Sequence, residues 1–133
     1  MPANTNPIFA LTPNCAAVKI TGATTDKTGA TTTNIKTLYT AGANGGKVTQ
    51  LGFKAEGTSV AGLLLIWITD TLGNNPMLFD EIPLSAITTS NTVATNRVFS
   101  AYNDLQLAAG QQIKVGVTTL SGNIIAYAQT GDF

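Results

Sequence analysis

The residues of this chain able to do chemistry are few, and their spacing works against cooperation. Asp80 and Glu81 form the one adjacent pair of carboxylates. Two carboxylates can share acid and base work at a glycosidic bond, but neighbours on a strand point to opposite faces and cannot flank one bond together. Asp70 and Asp104 stand isolated in the sequence. The chain has no histidine, which removes the commonest general base and transition-metal ligand and, with them, an ordinary Ser-His-Asp arrangement. Cys15 is the single cysteine, so neither an intrachain disulfide nor a zinc site of the usual ligand set can be assembled. Its neighbours Asn14 and Ala16 offer no charge to activate the thiol, and it reads as a small half-buried side chain. The loop Asp70–Asn75 carries oxygen ligands of the kind calcium takes, but departs from the spacing of a calcium loop. Gly42–Lys47 lacks the spacing of a phosphate cradle and reads as a hairpin turn. Trp67, Tyr39, Tyr102 and Tyr127 are rings that a sugar site would want as platforms, yet each lies in a candidate strand, where a packed position is the default. The expectation is a chain with no catalytic residue, no cofactor and no metal.

Composition points the same way. Hydrophobic residues make up 44% of the 133 and charged residues only 11%, against about a quarter in an average domain. Seven basic residues balance seven acidic ones. A neutral surface does not draw in nucleic acid or an anionic membrane, so neither is expected as a partner. It also sets up little repulsion between copies, which favours self-association. The longest apolar run, Val60–Ile68, is too short to span a bilayer. The opening residues lack the basic region and long apolar stretch of a secretion signal.

The elements that must position these residues are short β-type runs separated by Gly, Asn, Thr and Pro. Candidate strands cover Ile8–Leu11, Ala17–Thr21, Ile35–Ala41, Lys47–Ala55, Ala61–Asp70, Met77–Leu84, Arg97–Tyr102, Gln112–Leu120 and Asn123–Gln129. The best helical candidate, Ser85–Thr89, is one turn at most. Regularly spaced short strands with such turns predict an all-β, single-domain antiparallel β-sandwich of about eight strands. Residues 1–15 read as an extended N-terminal arm and residues 16–133 as the sandwich. Ile113, Val115 and Val117 alternate with Lys114, Gly116 and Thr118, the pattern of a strand with one buried and one wet face. Val48 falls out of phase with Leu51 and Phe53, which predicts a bulge near Thr49-Gln50. Ser121-Gly122 is expected to close a tight hairpin between the last two strands.

Leu63–Ile68 is apolar on both faces. Leu64, Ile66 and Ile68 can enter a sandwich core, leaving Leu63, Leu65 and Trp67 in need of a second cover. That cover is either a loop of the same chain or a neighbouring subunit. With Ile8, Phe9 and Leu11 of the arm, the row Leu63, Leu65 and Trp67 makes up the expected interface.

Ala3–Pro13, Tyr39–Gly45, Leu78–Pro83, Leu107–Gly110 and Gly131–Phe133 together resemble a family of small virion structural proteins of tailed bacteriophages and prophages. Within virions, a β domain of this size resembles head decoration (cement) proteins. The resemblance implies a jelly-roll-like sandwich that associates as a homotrimer and binds the major capsid protein or other virion proteins to reinforce the head. It implies residence in the virion after synthesis in the host bacterial cytoplasm. The rival reading is a tail, collar or baseplate component, or a carbohydrate- or receptor-binding module of the virion.

Overall fold

Alternation of apolar and polar residues, broken by glycine- and asparagine-rich turns, gives strands that mostly bury one face. The computed structural model describes residues 12–133, apart from the side chains of Asn103 and Asp104. It contains eight strands: β1 (Thr12–Ile20), β2 (Lys36–Thr40), β3 (Gly46–Ala55), β4 (Gly62–Ile68), β5 (Met77–Leu84), β6 (Arg97–Leu107), β7 (Gln112–Val117) and β8 (Ile124–Asp132). There is no helix among the described residues, and Ser85–Thr89 is extended chain with one bridge, Ile87 to Ser59. The candidate strand Ile8–Leu11 lies outside the described residues.

The strands form two four-stranded sheets, ordered β1-β8-β3-β6 and β2-β7-β4-β5. The antiparallel pairs β1 with β8, β2 with β7, β3 with β6 and β4 with β5 are those of one long hairpin rolled up on itself. This is the jelly-roll form of the antiparallel β-sandwich. Of consecutive strands, only β4 and β5 pair with each other, which corrects two expectations. Gly42–Gly46 and Ser121-Gly122 are not hairpin turns; each carries the chain from one sheet to the other. Gly45, with φ 85° and its N–H donating to the Gly42 carbonyl at 3.0 Å, makes the first of these corners tight, as a residue without Cβ can.

The core lies between the sheets. Leu51 and Phe53 of β3, Leu64 and Ile66 of β4, Ile113, Val115 and Val117 of β7, and Ile124 of β8 are all buried there. Ile113, Val115 and Val117 of β7 face the core as expected, but the opposite face is not wet throughout, since Gly116 is buried as well. The register of β3 slips between Val48 and Gln50 against both neighbours, the bulge that the phase change predicted. At one end the two layers are tied by Tyr39 of β2, whose hydroxyl donates to Asp132 of β8 at 2.5 Å. The Gly42 N–H donates to the same carboxylate oxygen at 3.2 Å. Burial, with the carboxylate beside it, pushes the Tyr39 phenol well above its usual range. A side chain at Gly46 would collide with that hydroxyl, so close approach of backbone and ring requires glycine there.

The boundary of the arm also moves. Thr12 through Cys15 pair with Asp132 through Gln129, so residues 12–15 belong to the first sheet rather than to an extended arm. Cys15 lies on the outer face of that sheet, opposite Gln129, and is exposed rather than half-buried.

Candidate functional site

The apolar row of β4 finds its cover inside the chain. Leu65 and Trp67 are fully buried and Leu63 is half-buried. The segment between β1 and β2 lies over them. Its Thr24 N–H donates to the Val117 carbonyl at 2.8 Å, and its Lys27 carbonyl accepts the Trp67 indole N–H at 2.8 Å. Lys27 is fastened in turn to Glu81 of β5 at 2.7 Å. Gly116 leaves room for the indole, since a Cβ there would sit 3.1 Å from both the ring and the Thr24 methyl. Leu65 and Trp67 are therefore core side chains and not an interface, because a loop rich in small residues can lie flat on the sheet and exclude water. Ile8, Phe9 and Leu11 lie outside the described residues.

The covering segment is held in shape by Asp26. Its carboxylate accepts hydrogen bonds from the Thr28 hydroxyl at 2.5 Å, the Thr28 N–H at 2.9 Å and the Thr31 N–H at 2.9 Å. These donors, the Thr28 hydroxyl foremost, lower its pKa to about 2 from 3.8. A folded-state value below the unfolded one adds stability above the unfolded pKa, and that stability is lost as pH falls through the folded value. Acidification from about pH 4 to 2 is thus expected to loosen the cover and red-shift the emission of Trp67, the only tryptophan. Asp26→Asn should remove that part of the pH dependence. An identical acid profile for the two proteins would contradict this role. Glu56, beside Lys19, and Asp70, capped by its own loop, are also lowered and add to acid sensitivity in both proteins.

The acidic residues whose side chains are described do not converge, and the side chain of Asp104 lies outside them. Asp80 accepts the Tyr102 hydroxyl at 2.9 Å, whereas Glu81 turns to Lys27. Asp70 spends its oxygens on the Leu72 N–H, the Asn74 N–H and the Asn75 amide, all at 2.8–2.9 Å. Among the described residues no three His, Cys, Asp or Glu side chains gather where a metal could sit.

Two other surfaces stand out. The first is the outer face of the sheet β1-β8-β3-β6, where register sets side chains in rows. Lys19, Ile125, Lys54 and Arg97 stand abreast; then Ala17, Tyr127, Gly52 and Phe99; then Cys15, Gln129, Gln50 and Ala101. An edge of the Phe99 ring rests where a Gly52 side chain would be, and the Arg97 guanidinium lies over the ring, 4.9 Å from its centroid. Cys15, Gln50, Gly52, Phe99, Tyr127 and Gln129 line a groove of about 250 Å³ on this face. The second surface is the flank made by β5 and the turn before it. Leu72 is 82% exposed, Met77 64% and Phe79 42%, with Leu78 beside them. Phe79 leans on Tyr102 with ring centroids 5.5 Å apart. The strand lies at the edge of its sheet, so one side of its backbone has no strand partner among the described residues.

Neither surface is visible by inspecting the sequence for chemistry. The outward row Arg97, Phe99 and Ala101 alternates with inward Val98 and Tyr102, but alternation does not say which set faces the core. That Gly52 lies opposite Phe99 depends on a pairing between residues far apart in the chain. Met77, Leu78 and Phe79 read as strand, and only the position of β5 at the edge makes them surface.

Fold and surfaces together define a jelly-roll domain with an apolar flank and a shallow groove, and no assembled catalytic group among the described residues. Compared with protein-family models, curated proteins and solved structures, the chain matches none.

Proposed function

We propose that the chain is a non-enzymatic structural protein of a tailed-phage virion, a capsid decoration protein that binds and reinforces the head lattice as an oligomer. The observation that carries this reading is the flank of β5. Leu72 on the turn before the strand and Met77, Leu78 and Phe79 on the edge strand itself put large apolar side chains into water. Contiguous exposed apolar surface marks a contact site, and an unpaired strand edge is a template for another chain unless it is covered. The jelly roll supplies the rigid frame, and the balance of seven basic and seven acidic residues leaves little repulsion between neighbouring copies. The sequence resemblance supplies the phage setting, and Leu72, Met77 and Phe79 replace Leu65 and Trp67 as the contact residues.

The test is to mix purified protein with heads lacking it, from the phage or prophage whose genome encodes the chain, and to image the particles. Added density on the outer head surface, with a solution mass three times the 13.7 kDa of one chain, is the expected result. Density confined to the tail, collar or baseplate would replace decoration with a tail role. No binding to any part of the particle, with a monomeric mass, would overturn the proposal.

A further inference from the structure

The outer face of the sheet β1-β8-β3-β6 carries a second binding site, and we propose that its ligand is an acidic saccharide, a sugar bearing a carboxylate. The site shares no residue with the flank of β5. Its central strands β8 and β3 are paired on both sides, so their backbone groups are spent on the sheet, and a ligand lying on this face must be recognised by side chains. That requirement disfavours an extended peptide, whose usual dock is a strand edge.

The side chains present three kinds of contact. The Phe99 ring is half exposed, with an edge propped against Gly52 and the Arg97 guanidinium over one face. A pyranose can therefore stack only on the face that Arg97 leaves free, where the ring's negative charge attracts polarised C–H bonds. Gln50, Gln129 and Tyr127 line the same groove, whose walls are mostly apolar, and their amides and hydroxyl have no hydrogen-bond partner among the described residues. An amide has both a donor and an acceptor to offer vicinal hydroxyls. At the end of the groove stands the cationic row. Lys19 is neutralised by Glu56 at 2.9 Å, but Lys54 donates only to the uncharged Thr95 hydroxyl, and Arg97 lies over Phe99. Neither of those two cations has a carboxylate partner among the described residues. A ligand with one carboxylate beside a stack of hydroxyls and C–H bonds complements this order: cation, ring, amide. The groove, about 250 Å³, lies just below the size range of drug-sized pockets and suits one or two sugar rings.

Titration calorimetry with 3′-sialyllactose and trigalacturonate, set against lactose and an acetylated tetraglutamate peptide, tests the site. Both carboxylated saccharides are expected to bind at about 0.1–1 mM, lactose and the peptide at least about tenfold more weakly, and added salt should weaken the binding. Phe99→Ala and Arg97→Gln should each weaken it by about fivefold or more, a loss of about 1 kcal/mol. Both residues are exposed, so Trp67 emission should be unchanged; Gln129→Ala, at another exposed position, gives a further variant. Binding of neither carboxylated saccharide, equal binding of lactose or of the peptide, or binding indifferent to all three substitutions would each overturn the inference. Attachment to particles through β5 would be unaffected by any of these results.

Discussion

Trp67→Ala is expected to remove about 3–5 kcal/mol of stability, the range for truncating a fully buried aromatic side chain. The indole is completely buried and is packed on one side by its own sheet and on the other by the segment that carries Thr24, Lys27 and Gly29. Truncation opens a cavity and also leaves the Lys27 carbonyl without its donor, so the cover loses both its packing and its anchor. Domains of this size have about 5–15 kcal/mol in total, and the melting temperature should fall by roughly 10–20 °C. Trp67→Phe keeps most of the packing and loses the N–H, so its cost should be nearer 1–2 kcal/mol. Thermal unfolding followed by circular dichroism separates the two. A Trp67→Ala protein melting within a few degrees of the parent would mean that the segment between β1 and β2 does not seal this face.

The same tryptophan shows how far the sequence could be read. That Leu63–Trp67 needs cover on both faces follows from composition alone, because burial of each large apolar side chain is worth about 1.5–3 kcal/mol. Which cover it receives does not. Gly22–Asn34 is mostly Thr, Gly and Ala, with no apolar period to show where it lies. Its position is set by single hydrogen bonds such as Thr24 to Val117, between residues far apart in the chain. The strands themselves were legible, since alternation in β7 and the phase slip in β3 are local facts. The connections were not: a two-residue hairpin and a corner between sheets use the same Gly and Asn residues, and only long-range pairing distinguishes them. Cys15 was misplaced for a related reason, because nothing local marks which face of β1 looks outward. The groove beside Phe99 lies furthest from the sequence, for it needs four strands in register before Arg97, Phe99, Gly52 and Tyr127 become neighbours.

Met77→Glu combined with Phe79→Glu is expected to abolish attachment to particles while leaving the fold intact. The two residues lie on the edge strand β5 and are 64% and 42% exposed, so little burial is lost in the free domain. The largest intramolecular contact at risk is that of Phe79 with Tyr102, and such a ring pair contributes about 0.5–1.5 kcal/mol. In a complex the balance reverses. Aromatic and long apolar side chains at the centre of an interface typically cost 2 kcal/mol or more on truncation, which is about 30-fold in affinity. Carboxylates at these positions would also have to be desolvated beside Asp80 and Glu81, two acidic groups already on the strand. Together the substitutions should weaken binding by about a thousandfold, enough to remove the protein from sedimented heads at micromolar concentration. The melting temperature should stay within about 5 °C of the parent. Undiminished co-sedimentation of the double variant would move the contact away from β5. A large loss of stability would show instead that Met77 and Phe79 support the fold, and Leu72→Glu, on the turn before the strand and 82% exposed, would then decide whether the flank binds.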